Sequence, residues 1–284
     1  MQTLHSPAQA AEWLRQHVTG VLCTDSRAIQ KGDGFIAWPG MATDGRAYVA
    51  SAFEQGATAC LVEAEDSSQW HSVWQSASDK VPTQVASYLG LKADTGWIAD
   101  AYYEQPSQAL KVLAVTGTNG KTSSAWWLAH ALNAMQTKPE GRALAPRCAL
   151  VGTLGVGLPP DLVSTGMTTP DPVLLQAQFR KFVAAGISHC AIEASSIGIA
   201  EQRLAGTRIQ LALLTNFTQD HLDYHGSMAA YWQAKQALFA WPELEVAVIN
   251  VDDAQGAKLA ADLAKGVLAG ARRQAIDLWT CSSR

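Results

Sequence analysis

Long apolar runs are missing from this 284-residue sequence; the longest, such as Gln210 to Leu214, are far too short to cross a bilayer. The opening stretch MQTLHSPAQAAEWLRQ lacks the basic segment followed by an apolar core that marks an export signal. Positive charge is not in excess either. Lys and Arg number 21 against 25 Asp and Glu, a net charge of −4. The cations are scattered, so no broad basic surface for nucleic acid or anionic lipid is expected. Cysteine is sparse: Cys23, Cys60, Cys148, Cys190 and Cys281 are widely spaced and form no CxxC pair. That pattern argues against a disulfide framework or a structural zinc site and makes most of them core residues. No internal repeat or low-complexity tract is visible. These absences lead to an expected cytoplasmic monomer that binds neither nucleic acid nor membrane and takes a small partner.

Apolar residues make up 48% of the chain, enough for a large core, and the length suits two domains. From Leu22 to Glu63 short apolar runs alternate with the turn clusters GDG, PG and DGR. AYVASAFEQGATACLVE reads as a helix ending near Gly56 and then a strand. A polar stretch with Pro106 sets the expected boundary, giving domains 1–106 and 107–284. Beyond it strands (112–115, 148–151, 189–193, 209–214, 245–249) are interleaved with helices (121–135, 171–185, 228–240). The expected fold is therefore α/β: a small mixed α/β N-terminal domain, then a mostly parallel P-loop-type sheet flanked by helices. The tail AIDLWTCSSR begins a further strand, so the sheet is expected to be incomplete at the C-terminus, while QTKPEGRALAPR (136–147) reads as a loop.

The segment AVTGTNGKTSS places a glycine turn, a lysine and a hydroxyl residue between a strand and a helix. Backbone N–H groups, a helix N-terminus and one ammonium then converge on an anion, the arrangement that cradles phosphates. The usual pattern wants glycine five positions before Gly120, where Val115 stands; here the glycine comes at Gly117. The alternative is a tight turn with a chance GKT. If the loop binds ATP, Gly117, Thr118, Asn119, Gly120, Lys121, Thr122 and Ser123 line it, with Lys121 on the β/γ-phosphates and Thr122 on Mg²⁺.

In an open parallel sheet, ligands bind beyond the carboxyl ends of the strands. Glu193 ends the run HCAIE and could hold Mg²⁺, or simply face solvent. LALLTNFTQDHLDYHG follows another strand with Asp220, His221, Asp223 and His225, a functional cluster or a solvated loop. Asn250 ends VAVIN with an amide suited to a base or ribose. In SMAAYWQAKQALFAW the apolar stripe Met228, Tyr231, Trp232, Leu238, Phe239 carries Lys235 on the same face. A buried lysine has a lowered pKa, and a neutral amine can take up CO₂ as a carbamate able to serve a metal. The competing reading is a lysine that snorkels to the edge of the stripe.

Taken in order, DSR at 25–27, the GD.F.A..G...DGR.Y block, GTNGKT, TTP at 168–170, EASS at 193–196, TNFTQDHLDYHG and YWQAK resemble the Mur ligases and their relative folylpolyglutamate synthase. The resemblance is closest to the type that adds the third residue of the peptidoglycan stem. It implies an ATP-dependent amide ligase that passes through an acyl phosphate. The N-terminal domain would hold UDP-N-acetylmuramoyl-dipeptide, the central domain would bind ATP and Mg²⁺, and diaminopimelate or lysine would be the amine. By position, Ser26, Arg27, Met41, Ala42 and Thr43 would contact the UDP part, and Thr168, Thr169, Ser195, Glu201 and Arg203 the muramoyl peptide. Thr168 and Thr169 precede Pro170 at an expected helix start, suited to an anionic group. Lys121, Glu193, His221 and Lys235 would be catalytic, with Thr122, Glu193, His221 and an N6-carboxylated Lys235 serving the metal. Met167, Ile197 and Glu201 stand where the family often has Asn, His and Gln. The family's C-terminal, amino-acid-binding domain is absent from the expected organisation, which makes a non-catalytic UDP-sugar and nucleotide-binding fragment the main alternative. Another Mur-type or folylpolyglutamate-type ligase is the third.

Overall fold

The computed structural model describes residues 1–40, 43–70, 74, 84–135, 147–267 and 275–283. Its contacts divide the chain into two compact units. The first is Met1–Gln105 with Asp171–Ala177 and Ala205–Thr207; the second is Pro106–Pro170, Gln178–Leu204 and Arg208–Arg284.

The first unit runs β1 (Gln2–Leu4), α1 (Pro7–His17), β2 (Leu22–Cys23), β3 (Gly34–Ala37), α2 (Val49–Gln55), β4 (Ala59–Glu63), β5 (Gln84–Tyr88) and α3 (Leu91–Tyr102). The strands form one sheet in the order β1-β5-β4-β3-β2, with every pair parallel. Both faces of a parallel sheet are covered, so β3 and β4 read as unbroken apolar runs. Their side chains alternate between two cores. Ile36 and Leu61 pack with Leu14, Leu91 and Ile98, whereas Phe35, Cys60 and Val62 pack with Val49 and Phe53. Local chemistry sets the helix ends. Ser6 caps α1 by accepting from Gln9 N, with Pro7 in the first turn. Gly56, in the left-handed region at φ 110°, closes α2 as its sequence implies. Gly90 offers α3 no side-chain cap, and the buried Glu63 carboxylate at the end of β4 fills the role, accepting from Gly90 N (3.0 Å) and Leu91 N (2.7 Å).

Asp100, on α3, is 7% exposed, and its Oδ1 has no hydrogen-bond partner. Burial pushes its carboxyl up from 3.8 to about 6. A raised acid binds its proton more tightly in the folded chain, so stability is highest below the unfolded value and falls as pH rises through the folded one. Asp100→Asn should therefore raise the melting temperature at neutral pH and lose its advantage near pH ~4, a difference on the order of 2–3 kcal/mol. Thermal denaturation of both proteins across that range checks this.

The second unit comprises β6 (Lys111–Thr116), α4 (Lys121–Ala134), β7 (Cys148–Gly152), β8 (Gly155–Leu158), β9 (Asp161–Val163), α5 (Pro172–Ala184, shared with the first unit), β10 (His189–Glu193) and α6 (Ser196–Ala200). It continues with β11 (Ile209–Leu214), α7 (Leu222–His225), α8 (Met228–Gln236), β12 (Val246–Asn250), α9 (Ala254–Ala264) and β13 (Asp277–Cys281). Sheet order is β13-β12-β11-β6-β10-β7-β8-β9, parallel from β13 to β7 and antiparallel through β8 and β9. The expected alternation of strand and helix is present, and the tail does form a strand, β13, beside β12. Five elements were not expected from the sequence: the two strands of the β8–β9 meander and helices α6, α7 and α9. The helix expected over 228–240 is α-helical only to Gln236 and tightens to a 3₁₀ turn over Ala237–Ala240. The loop expected at 136–147 falls outside the described residues except for Arg147. Cys60, Cys148 and Cys190 are buried, Cys23 is half-buried and Cys281 exposed, all as free thiols.

Candidate functional site

Because β7, β10, β6 and β11 are parallel neighbours, their carboxyl ends meet at one edge; Glu193 lies opposite Val115, and Leu214 opposite Thr116. That edge carries the turn Gly117–Gly120 leading into α4. Gly117 has φ +141°, and a methyl group there would overlap the Thr215 hydroxyl. The late glycine is therefore placed where the chain turns sharply against β11. Gly120, at φ 80°, begins α4 with no side-chain cap, leaving the first amides of the helix to another acceptor.

The residues after β11 hold this loop in place. Thr118 N donates to Asn216 O (2.9 Å) and Asn119 N to Asn216 Oδ1 (2.9 Å), while Thr215 Oγ1 donates to Asn119 O (2.6 Å). Thr118 Oγ1 accepts from Thr218 N (2.9 Å) and lies 3.1 Å from the Tyr231 hydroxyl. Lys121 Nζ donates to Gly117 O (3.0 Å) and Thr118 O (2.9 Å), folding the ammonium over the loop. Ser123 lies exposed on the first turn of α4.

Lys235 is 1% exposed, among the most buried side chains of the protein. Its Nζ donates to the same Gly117 carbonyl at 2.8 Å and sits 4.6 Å from the Tyr231 ring centroid. Burial, and then the neighbouring Lys121 charge, bring its pKa down from 10.5 to about 7, against a smaller opposing pull from Asp220. Burial lowers Lys121 as well, with Glu193 and Asp220 opposing. The sequence pattern thus leads to a dry amine with its proton loosely held.

Glu193 is also 1% exposed. Its Oε2 accepts from Thr122 Oγ1 (2.8 Å) and Thr153 Oγ1 (3.3 Å), and its Oε1 from Thr153 N (2.8 Å). The solvent-facing reading of this residue is excluded. A buried carboxylate and a hydroxyl this close are hard oxygen donors of the kind Mg²⁺ takes, so the residues present fit that ion. Among the described residues, no three His, Cys, Asp or Glu side chains gather as a metal cage. The expected set differs from such a cage, since it relies on Thr122 and Lys235. His221 sits at φ 48° with its side chain 39% exposed, 3.6 Å from Asp220 and edge-on to Tyr231 at 5.9 Å. His225 Nε2 lies 3.0 Å from Ser196 Oγ; burial lowers its pKa, helped by His221 and Lys235.

The residues assigned to the muramoyl peptide also come together. Thr169 is fully buried and donates to Glu193 O (2.7 Å), with Ser195 Oγ 3.0 Å away. Arg203 Nη1 donates to Thr169 O (2.9 Å), Glu201 accepts from the Tyr224 hydroxyl, and Thr168 Oγ1 lies 3.0 Å from Thr153 Oγ1. One expectation needs correction. Helix α5 starts at Pro172, one residue from the expected 171, but the Asp171 carboxylate already accepts from Val173 N and Leu174 N. No helix terminus is left there for an anion. Asn250 also turns inward: its amide donates to Thr215 O (2.8 Å), and its Oδ1 accepts from Asp252 N (3.0 Å).

In the first unit a cleft of about 680 Å³ is lined by Thr24, Asp25, Ser26, Arg27, Thr43 and Tyr48, among others. Ser26 is buried within a 3₁₀ turn, and Arg27 pairs with Asp25 at 2.7 Å with its side chain 88% exposed. Met41 and Ala42 lie outside the described residues.

The sequence reading missed Gly152, Thr153, Asn216 and the hydroxyl of Tyr231. Thr153 carried the same signal as Glu193, a polar residue directly after an apolar strand.

Against known proteins, residues 115–280 match the Mur ligase middle domain, and residues 17–92 match the Mur ligase family catalytic domain. The chain belongs to the Mur ligase family. Among curated Mur ligases, the UDP-N-acetylmuramoyl-L-alanyl-D-glutamate–2,6-diaminopimelate ligase of Acidovorax sp. (strain JS42) is 60% identical over 99% of this chain and 53% of its own length. The enzyme of the same name from Janthinobacterium sp. (strain Marseille) is 45% identical over 89% of this chain and 47% of its own. A solved structure of a ligase with that name superposes with a TM-score of 0.68 at 30% identity, covering 92% of this chain and 48% of the other. The chain spans about half the length of the relatives it matches.

Proposed function

We propose that this chain forms the UDP-sugar-binding (1–106) and ATP-binding (107–284) parts of an ATP-dependent ligase. The ligase adds diaminopimelate to UDP-N-acetylmuramoyl-L-alanyl-D-glutamate. The observation that carries the nucleotide assignment is the pair of lysines, Lys121 and Lys235, meeting on the Gly117 carbonyl of an uncapped helix-start loop. The names of the similar enzymes support the substrate and the amine.

In this reading the γ-phosphoryl group of ATP passes to the side-chain carboxylate of the D-glutamyl residue. The amine of diaminopimelate then displaces phosphate, leaving an amide, ADP and phosphate. Such a transfer needs positioning and charge neutralisation more than covalent help. The loop amides and Lys121 would hold the β/γ-phosphates, and Thr122 and Glu193 would hold Mg²⁺, with His221 and an N6-carboxylated Lys235 as further donors. When bound, Mg²⁺ supplies neutralisation of the phosphate charge. Thr168, Thr169, Ser195, Glu201 and Arg203 would orient the muramoyl peptide, and Ser26, Arg27, Met41, Ala42 and Thr43 the uridine nucleotide. Water must be kept from the acyl phosphate. The proposed protein is a cytoplasmic monomer. Its net charge is −4, and among the described residues no helix is long and apolar enough to cross a membrane.

Calorimetry with UDP-N-acetylmuramoyl-L-alanyl-D-glutamate and with a non-hydrolysable Mg·ATP analogue is the direct test. Binding of both is expected, and failure of both ends the proposal. In a chain with the relatives' full length, phosphate release should depend on diaminopimelate.

A further inference from the structure

Glu193 is held by a residue that also touches the substrate side of the site. Thr153 is the first residue of the two-residue turn joining β7 to β8, where Gly152 pairs with Gly155. Its amide is fixed on Glu193 Oε1 at 2.8 Å. Its hydroxyl stands between two oxygens, Glu193 Oε2 at 3.3 Å and Thr168 Oγ1 at 3.0 Å. Gly152 makes this closeness possible, because a methyl there would overlap Glu193 Oε1.

A hydroxyl has one proton and can donate in only one direction at a time. When Thr168 donates to Thr153, the Thr153 proton points at Glu193 Oε2, which then carries two hydroxyl donors, Thr122 and Thr153. An acceptor on a ligand that takes the Thr168 proton reverses the chain. Thr168 Oγ1 then accepts from Thr153, and Glu193 Oε2 loses a donor and regains a lone pair for a cation. The reverse also holds: a cation at Oε2 repels the Thr153 proton, which turns to Thr168 and drives the Thr168 proton outward. No covalent bond changes and no proton is gained or lost overall.

We infer that Thr153 is a positioning residue whose hydroxyl couples the ligand bound at Thr168 to the cation and nucleotide bound at Glu193, so that each tightens the other. The ligand's chemical class at Thr168 is a hydrogen-bond acceptor, a phosphate or carbonyl oxygen of the UDP-muramoyl peptide. The inference rests on the proposed function for the identity of the two ligands, and on the hydrogen bonds for the coupling.

The test measures affinity of the Mg·ATP analogue with and without saturating UDP-N-acetylmuramoyl-L-alanyl-D-glutamate, and the reverse titration. In the wild-type chain each ligand should tighten the other by about fivefold, the effect of one neutral hydrogen bond changing partner, with the same factor in both directions. T153V keeps the amide contact but removes the hydroxyl, and should bring that factor to about one. T153S should restore it. T168V cuts the other end of the chain and should abolish the factor as well, which covers the case of T153V failing to fold. The inference is overturned if T153V and T168V retain the full factor, if T153S loses it, or if the wild type binds both ligands independently. A wild type that binds neither ligand removes the proposed function itself, and the inference with it.

Discussion

Lys121→Ala is expected to weaken binding of a non-hydrolysable Mg·ATP analogue by on the order of 100-fold, about 3 kcal/mol. The ammonium is already folded over the loop by Gly117 O and Thr118 O, so a phosphate meets a charge in place and little rotamer freedom is lost on binding. Charge-assisted hydrogen bonds contribute about 1.5–3 kcal/mol each, and a polyphosphate tail can accept more than one. Burial lowers the pKa of this amine, and the approach of a multiply charged anion opposes that effect, which adds to the differential. Lys121→Arg should not restore affinity, because a planar guanidinium does not fit a half-buried slot shaped around a point charge. Calorimetry on the three proteins, with melting curves to show that each is folded, gives the comparison. An alanine variant that bound within about threefold of wild type would remove the phosphate-loop assignment.

Gly117→Ala reaches the same loop through the backbone. The positive φ and the overlap with Thr215 together exclude a side chain at this position. Loss of nucleotide binding comparable to that of Lys121→Ala is expected, with a lower melting temperature. A variant with unchanged affinity would show that the turn tolerates rearrangement.

Much of this arrangement follows from patterns that one strand or helix imposes on its own sequence. The five parallel strands expected in the second unit are short apolar runs bounded by turn residues. Burial on both faces is what makes such runs legible. Lys235 was found because it interrupts an apolar stripe at helical spacing, and the structure buries it beside Tyr231. Features that depend on two distant segments were not legible. The grip of Thr215, Asn216 and Thr218 on the loop depends on β11 lying beside β6, a neighbour relation about 100 residues apart. The meander β8–β9 leaves no strand pattern in the sequence, since β8 (GVGL) is glycine-broken and β9 (DLV) is only three residues long. The helix expected over 171–185 is present as Pro172–Ala184; what its pattern did not show is that Asp171, an ordinary capping residue, already takes its first free amides. Asn250 shows a limit of the strand-end rule, which finds polar residues at the ligand edge but not whether they point outward or back into the chain.

Lys235→Met should give the largest combined effect of any single change in this site, with stability and chemistry moving in opposite directions. A lysine in solution at pH ~7.5 is neutral in about one molecule in a thousand, whereas an amine with pKa about 7 is mostly neutral there and open to CO₂. Wild-type protein in ¹³C-bicarbonate should therefore show a carbamate carbon that Lys235→Met lacks. In a chain with the relatives' full length, phosphate release should fall by on the order of 1,000-fold or more, because the group proposed to serve the metal as a carbamate is removed. The stability effect has the opposite sign. A lysine whose folded pKa lies below its unfolded value penalises the fold fully below about pH 7, and the penalty is relieved as pH rises towards 10.5. A gap of that size corresponds to on the order of 5 kcal/mol. Methionine removes the buried charge and leaves Gly117 O one donor fewer, so a net gain of a few kcal/mol is expected near pH ~6, shrinking towards pH ~10. Urea denaturation at those two pH values reads it. If the substitution destabilised the protein equally at both and the carbamate signal persisted, Lys235 would be an ordinary charged lysine and the metal role assigned to it would fail.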